Sequence, residues 1–258
     1  MKALITGMNG TLGTVLRQVL EAHNIEAIGW DRTQTPIDHY QTMEDFVRRI
    51  QPDFLFHLAT SSQPTGRANE GWLVNYEWTS ELAWICRQLD VRFVFTSSVM
   101  VFTDNAKGAF TPDSIPDATE GYGYEKLQAE KRTLSQNPDA IVARIGWQIG
   151  ESPTGNHMLA HLESQMAEHG EIRASTKWYP ACSFLPDTAS ALLNLAQGDA
   201  GLYLVDSNTR WTYYEIVTAL NEKHGNRWNV IPSEDFVYDQ RMIDTRFPMP
   251  GLDTRLAV

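Results

Sequence analysis

The chain has 258 residues, 42% hydrophobic and 21% charged, with 32 acidic against 21 basic side chains for a formal net charge of -11. That length fits one large α/β domain or a domain with a smaller appendage, and the composition supports a sizeable core. The acidic balance and the lack of a basic run interleaved with aromatics disfavour a nucleic-acid partner. The apolar runs are too short to span a bilayer, and two cysteines, Cys86 and Cys182, make neither a disulfide framework nor a metal cluster.

In chain order, residues 2–6 read as a strand and 12–23 as a helix, with Leu12, Val15, Leu16, Val19 and Leu20 on one face. Residues 25–30 read as a second strand, which completes a βαβ unit. A helix at 42–50, a strand at 53–59, a long helix at 70–89 and a strand at 92–97 follow. A loop rich in Pro, Asp and Gly (103–121) precedes a helix at 122–136 and a fifth strand at 140–145. This alternation predicts a doubly wound parallel sheet with helices on both faces. After Gly150 the pattern loosens into helices at 157–169, 186–197 and 212–224, with short strands at 171–174, 201–205 and 227–231. The expected division is a dinucleotide-binding domain at 1–150, on which parts of the later chain pack back, and a smaller substrate-binding lobe at 151–258. The N-terminus lacks a signal-peptide pattern, so a reducing cytoplasm is the expected compartment.

Chemistry enters at the first turn. In "LITGMNGTLG" a strand runs into Gly7, Gly10 and Gly13 and then a helix. Such glycines permit a tight turn, backbone approach to a pyrophosphate and close helix packing, and the helix N-terminus offers N–H groups to an anion. The spacing is GxxGxxG rather than GxGxxG, and a plain turn is the alternative. Asp31, ending the second strand about 20 residues on, is where an acid would receive a ribose hydroxyl.

The second constellation is Ser98 in "TSSVMVF" with Tyr122 and Lys126 in "YGYEK". A phenol is a poor acid or base near neutrality. Lys126 lies one helical turn beyond Tyr122, so its cation can favour the phenolate. Ser98 ends a strand and could donate to a substrate carbonyl beside that phenol. His57 reads as a hydrogen-bonded core residue. Trp72, Tyr76 and Trp84, at helical spacing, read as core, with a helix face for a homodimer as the alternative.

"ITGMNGTLG", "HLAT" (57–60), "VN" (74–75), "FTSSVMVF" (95–102), "YGYEK" and "ARIGWQIG" (143–150) occur in the order found in extended short-chain dehydrogenases/reductases. Within that superfamily the chain most resembles the dTDP-4-dehydrorhamnose reductases, along essentially its whole length, with the NAD-dependent sugar epimerases as near relatives. The resemblance implies a Rossmann fold, NAD or NADP as cofactor, and Ser98, Tyr122 and Lys126 as the catalytic group. It puts Gly7, Asn9, Gly10, Thr11, Leu12 and Gly13 around the pyrophosphate, Asp31 and Arg32 at the adenosine ribose, and Asp38, Leu58, Ala59, Thr60 and Asn75 along the cofactor cleft. Substrate-side candidates are Ser61, Met100, Trp147, Asn156, Lys177, Trp178 and Arg210. Arg173, Arg241 and Arg246 are further cations for a diphosphate.

The chain also departs from the reductase pattern. Where those enzymes read Ser-Thr-Asp-Tyr-Val-Phe, Val99 and Met100 stand in the Asp and Tyr places, and "KWYPACSFLPD" (177–187) replaces Asp-Gln-x-Gly-x-Pro-Thr. Three activities are consistent with these residues. They are keto reduction on a sugar, which is expected to be nucleotide-linked; sugar epimerisation by the same group; and dinucleotide sensing without turnover.

Overall fold

The computed structural model describes residues 1–61 and 65–256. In chain order the strands and helices are β1 (Lys2–Thr6), α1 (Thr11–Ala22), β2 (Glu26–Gly29), α2 (Tyr40–Ile50), β3 (Phe54–His57), α3 (Glu70–Trp72), α4 (Trp78–Leu89), β4 (Arg92–Ser98), α5 (Gly121–Gln136) and β5 (Ile141–Ile145). There follow β6 (Trp147–Ile149), α6 (Met158–His169), β7 (Ile172–Ser175), β8 (Trp178–Tyr179), β9 (Cys182–Phe184), α7 (Leu185–Ala196), β10 (Gly201–Val205), α8 (Tyr213–Lys223), β11 (Val230–Ser233) and β12 (Tyr238–Asp239).

Two compact units emerge. The first comprises Met1–Thr103, Pro116–Arg144 and Ala189–Tyr203. Its six-stranded sheet has the order β10-β5-β4-β3-β1-β2. The pairs β1–β2, β1–β3 and β3–β4 are parallel. Successive connections from β1 leave toward opposite edges, so a crevice opens at the C-terminal ends of β1 and β3, where doubly wound folds bind ligands. Residues 201–205, part of the later chain, form an edge of this sheet. With α7 they add one more helix-strand step to the same alternation.

The long helix expected at 70–89 is interrupted. Between α3 and α4 lies a π-helical turn, Leu73–Glu77, and the extra residue rotates everything after it relative to what precedes. The buried face of α4 is therefore Trp78, Leu82, Ile85 and Cys86. The expectation that Trp72, Tyr76 and Trp84 are core is corrected for Trp84, whereas Tyr76 packs against the core. Trp84 is 40% exposed, and Trp72 and Tyr76 are half-buried, packing on each other with ring centroids 4.2 Å apart.

The second unit comprises Asp104–Ile115, Ile145–Thr188 and Leu204–Val258. It contains three two-stranded ladders, β11-β7, β12-β8 and β6-β9. At two or three residues, β6, β8, β9 and β12 are too short to show a period, and the sequence reading missed them. Its core joins Ile149, Leu159, Leu162, Phe184, Ile216 and Trp228. The buried Asp206 carboxylate accepts from the backbone N–H of Cys182, Asn208 and Met242 at 2.9, 2.8 and 2.8 Å and so gathers three segments. Cys86 and Cys182 are buried free thiols, and burial pushes both pKa values up. No described helix is long and apolar enough to cross a membrane.

The first turn depends on missing Cβ atoms. Gly7 has φ +72°, and a Cβ there would lie 3.1 Å from Ala59 N. A Cβ on Gly13 would lie 2.2 Å from Gly7 O and 2.7 Å from Met8 Cα. A Cβ on Gly10 would meet only Gly7 O, at 3.1 Å. Gly13→Ala is therefore expected to destabilise the fold by about 2 kcal/mol or more, and Gly10→Ala by distinctly less. Urea denaturation of the two variants measures the difference.

Candidate active site

The site grows from the C-terminal ends of β1, β3 and β4 and the first turn of α5. At the ends of β1 and β3 a buried polar line fixes the backbone. Thr6 Oγ1 accepts from the N–H groups of Leu58 and Ala59 at 3.1 and 3.2 Å, so its own hydrogen goes to His57 Nδ1, 2.8 Å away. His57 Nε2–H then donates to Thr79 Oγ1 at 2.9 Å, and Thr79 donates to Asn75 O at 2.9 Å. Burial, with the nearby Lys126 charge, pushes the His57 pKa well down, so the ring is a neutral connector.

Gly10 is the N-cap residue of α1, and neither a side-chain cap nor an acidic residue occupies its first turn. Asn9 and Gly10 are exposed and Thr11 and Leu12 half-buried, while Gly13 is enclosed. This turn fits an anionic group, which would lie against backbone where no side chain intervenes. Past β2, Asp31 Oδ1 accepts from Thr33 N at 2.8 Å and Thr33 Oγ1 at 2.7 Å. These bonds hold its carboxyl below the usual carboxylate range. Arg32 is exposed beside it. Asp38 is paired instead with Arg67, at 2.8 Å.

On α5, the Tyr122 hydroxyl lies beside the Thr60 and Ser98 side chains, which favour its ionised form. Burial raises its pKa above the ordinary value. Ser98 caps the turn after β4, its Oγ accepting from Met100 N at 3.1 Å. Helix and turn come this close because residue 123 is glycine; a Cβ there would fall 1.9 Å from Met100 O. Gly123 is a site determinant that the sequence reading passed over, though it stands inside the quoted "YGYEK". Met100 itself is 53% exposed.

Lys126 is 1% exposed. Its Nζ donates to Thr96 O at 3.1 Å and lies 4.6 Å from the Phe95 ring centroid and 5.7 Å from that of Tyr122. Burial pushes its pKa down to about 7, with Glu130 and Glu125 acting in the opposite direction. Behind it, Glu130 accepts from Ser97 Oγ at 2.5 Å and from Arg144 Nε and Nη2 at 2.9 and 2.7 Å. The enclosed carboxylate is thus satisfied by a guanidinium fork and a hydroxyl. Glu130 and Arg144 also escaped the sequence reading, since their partnership spans 14 residues and carries no local signature.

A second chain of hydrogen bonds lies on the other side of α5. Thr60 Oγ1 donates to Asn75 Oδ1 at 2.9 Å, Ser61 N donates to the same oxygen at 3.3 Å, and Asn75 Nδ2 donates to Glu125 Oε2 at 2.8 Å. Asn75 is 1% exposed and sits in the π-helical turn. In the first unit, therefore, Ser61, Thr60, Asn75, Ser98, Tyr122 and Lys126 form one neighbourhood, and the glycine turn meets Ala59 at the crevice.

The remaining candidates lie in the second unit. Trp147 and Trp178 stack with centroids 6.2 Å apart, and both pack on Tyr213, at 6.1 and 4.8 Å. Asn156 is exposed, next to His157, which caps α6. Every cation considered for a diphosphate is engaged by an acid. Arg173 pairs with Asp235, Lys177 with Glu234, Arg210 with Asp253, Arg241 with Asp239 and Arg246 with Asp244. Among the described residues no group of His, Cys, Asp and Glu could hold a metal ion.

Comparison with known proteins supplies the context. Residues 1–238 match the model of the family described as RmlD substrate binding domain. A dTDP-4-dehydrorhamnose reductase from Bacillus anthracis, solved in complex with NADP, is similar with a TM-score of 0.83 at 17% identity, covering 98% of this chain and 95% of that one. A UDP-N-acetylglucosamine 4-epimerase from Bacillus cereus has a TM-score of 0.77 at 18% identity, covering 95% of this chain and 88% of that one. The spore coat polysaccharide biosynthesis protein SpsK of Bacillus subtilis is 22% identical over 227 residues, 87% of this chain and 80% of its own length. At these identities the solved structures establish a Rossmann-like fold with a doubly wound sheet.

The buried ammonium makes a measurable prediction for the free protein. With a folded pKa of about 7 against about 10.4 unfolded, the unfolded chain binds a proton between those values that the folded chain does not. Stability contributed by residue 126 must therefore rise with pH across that window. Lys126→Met is expected to remove a slope of up to about 1.4 kcal/mol per pH unit, read from urea denaturation between about pH 7 and pH 9.

Proposed function

The chain belongs to the RmlD substrate binding domain family, and from that premise we propose that it is an NAD(P)-dependent enzyme reducing a keto group of a nucleotide-linked sugar. The observation that carries this reading is the Ser98 side chain beside the Tyr122 hydroxyl, with Lys126 buried one turn beyond. A hydroxyl on either side of a phenol can orient a carbonyl oxygen where the phenolic proton can reach it. The family's solved reductase with NADP supports the choice of cofactor.

The turn Gly7–Gly13 and the uncapped start of α1 would hold the cofactor's diphosphate, with Asp31 and Arg32 at its adenosine ribose. When bound, the nicotinamide supplies the hydride. Ser98 positions the carbonyl, Tyr122 delivers its proton to the oxygen, and Lys126 restores charge balance beside the phenolate that results. Asp31 would accept from a ribose 2'-hydroxyl and repel a 2'-phosphate, whereas the guanidinium of Arg32 would attract that phosphate. Use of both cofactors, with modest discrimination, follows from this opposition.

The nucleotide part would be recognised in the second unit, where Trp178 offers a stacking surface. A diphosphate must first displace carboxylates from cations such as Arg210 and Lys177, both about half exposed. Exposed pairs are worth only about 0 to 1 kcal/mol, so displacement costs little. Epimerase relatives of the same fold support a second reading, in which the cofactor is recycled rather than consumed. The complete Ser98, Tyr122 and Lys126 set disfavours a dinucleotide sensor without turnover.

The test is a screen of keto sugars, free and nucleotide-linked, followed at the nicotinamide absorbance. Stoichiometric oxidation of reduced cofactor is expected; epimerised product without net oxidation would give the second reading its place. Tyr122→Phe should lose about 100-fold or more in turnover with little change in cofactor affinity.

A nucleoside diphosphate alone should compete with the sugar substrate, and Arg210→Gln should weaken that inhibition. Equal turnover of the free keto sugar, with no binding of the diphosphate, would remove the nucleotide from the assignment.

A further inference from the structure

We propose that Glu125 is a positioning residue for the dinucleotide: through the amide of Asn75 it holds residues 60 and 61, beyond the end of β3, in the conformation that lines the cofactor cleft. The inference rests on the reading above that this segment faces the cofactor, whereas the hold itself is a property of the free protein.

Beyond His57 the chain leaves its sheet, and side chains take over its hydrogen bonds. Thr6 Oγ1 accepts from the N–H groups of Leu58 and Ala59 at 3.1 and 3.2 Å. The next two residues converge on a single atom, Asn75 Oδ1, which accepts from Thr60 Oγ1 at 2.9 Å and from the N–H of Ser61 at 3.3 Å. Residues 58 to 61 are thus gripped at two points. Gly7 packs on the first pair, where an added Cβ would lie 3.1 Å from Ala59 N, so a shift of this segment is felt at the glycine turn.

The second grip works in only one orientation of the amide. Rotated by half a turn, Asn75 would present its NH2 group to the N–H of Ser61, and two donors would face each other. Asn75 is 1% exposed, so water could not compensate. Glu125 selects the working orientation. Its Oε2 accepts from Asn75 Nδ2 at 2.8 Å, and a carboxylate has no hydrogen to give to the oxygen of a rotated amide. The carboxylate also has a seat shaped for it. A Cβ on Gly71 of α3 would lie 2.7 Å from Glu125 Oε1, so α3 offers bare backbone where that oxygen rests. One acid on α5 therefore sets the polarity of a chain that ends at the cofactor side of β3. Without it, residues 60 and 61 spend part of their time in other conformations, and the apparent affinity for the dinucleotide falls by the competent fraction.

Glu125 also lends its negative charge to the cation of Lys126, so charge and hydrogen bond have to be separated. Glutamine lacks the charge but can still accept from Asn75; leucine can do neither.

The experiment titrates NADH and NADPH into the full chain, reads Kd from nicotinamide fluorescence, and follows exchange of the Ser61 N–H by NMR in the free protein. Glu125→Leu is expected to weaken dinucleotide binding about tenfold and to quicken Ser61 exchange, while Glu125→Gln stays within about twofold of the parent in both. Glu125→Ala repeats the leucine test without added bulk, which keeps the outcome readable if leucine is not accommodated. In an Asn75→Ala background, Glu125→Leu should change the affinity no further, because its route to the cleft is already cut. Unchanged affinity in the leucine and alanine variants would overturn the proposal. Equal weakening by glutamine and leucine would do so too, leaving charge as the whole effect, as would a full leucine effect in the Asn75→Ala background. A parent protein that binds neither dinucleotide would remove the cofactor reading and this inference together; a parent that binds, with variants that bind equally well, removes the inference alone.

Discussion

The hydroxyl of Thr6 is the constraint on which the site depends. It receives two backbone N–H groups from the end of β3 and hands its own hydrogen to His57, so the ends of β1 and β3 are tied at a fixed separation. His57 passes the connection to Thr79, and Thr79 to the carbonyl of Asn75 in the π-helical turn. Buried polar groups of this kind are costly unless every one is paired, and here each hydrogen has a defined destination. The glycine turn, the crevice beside Ala59 and the placement of Asn75 all inherit their geometry from this line. A neutral imidazole suits the task because its two ring nitrogens, one accepting and one donating, carry the polarity straight through.

Around this frame the chain uses closeness of backbone where other folds use side chains. At Gly13 and Gly123 an added methyl group would collide with a carbonyl oxygen. The first contact seats α1 on the turn before it, and the second brings α5 against the turn after β4. Tyr122 meets Ser98 because helix and strand end can approach at Gly123. Lys126, one turn deeper, is then carried into an interior where its charge is opposed by burial and supported by Glu130, itself bound by Arg144.

Much of this was legible in the sequence, for identifiable reasons. The alternation of apolar strands and amphipathic helices gave the doubly wound sheet, and its parallel core matches the expectation. The spacing of Tyr122 and Lys126 on a helix placed both on one side. What escaped was long-range or finer than a helical period. The π-helical turn shifted the buried face, so Trp84 stands at the surface and Trp78 in the core. The carboxylate partners of Lys177 and Arg210 come from residues 57 and 43 positions away, and no local pattern announces them. The chain from Glu125 through Asn75 to Thr60 joins three separate segments, and only folding brings them together.

The route of the chain through the central sheet bears on how the protein is made. Strand β10 covers one flank of β5, yet it is contributed by residues 201–205, long after β5 has been completed at Ile145. During synthesis the nascent sheet must wait with the peptide groups of β5 open on that flank while the intervening segment emerges. An open strand edge is a template for pairing with other chains, and such delayed, non-local closure slows folding and prolongs that exposure. A fragment ending soon after β5 would retain the glycine turn, Tyr122 and Lys126 while leaving this flank permanently uncovered. Its most accessible fate is self-association along β5, so dissection of the chain at the apparent end of its dinucleotide-binding segment would yield aggregates rather than a miniature enzyme.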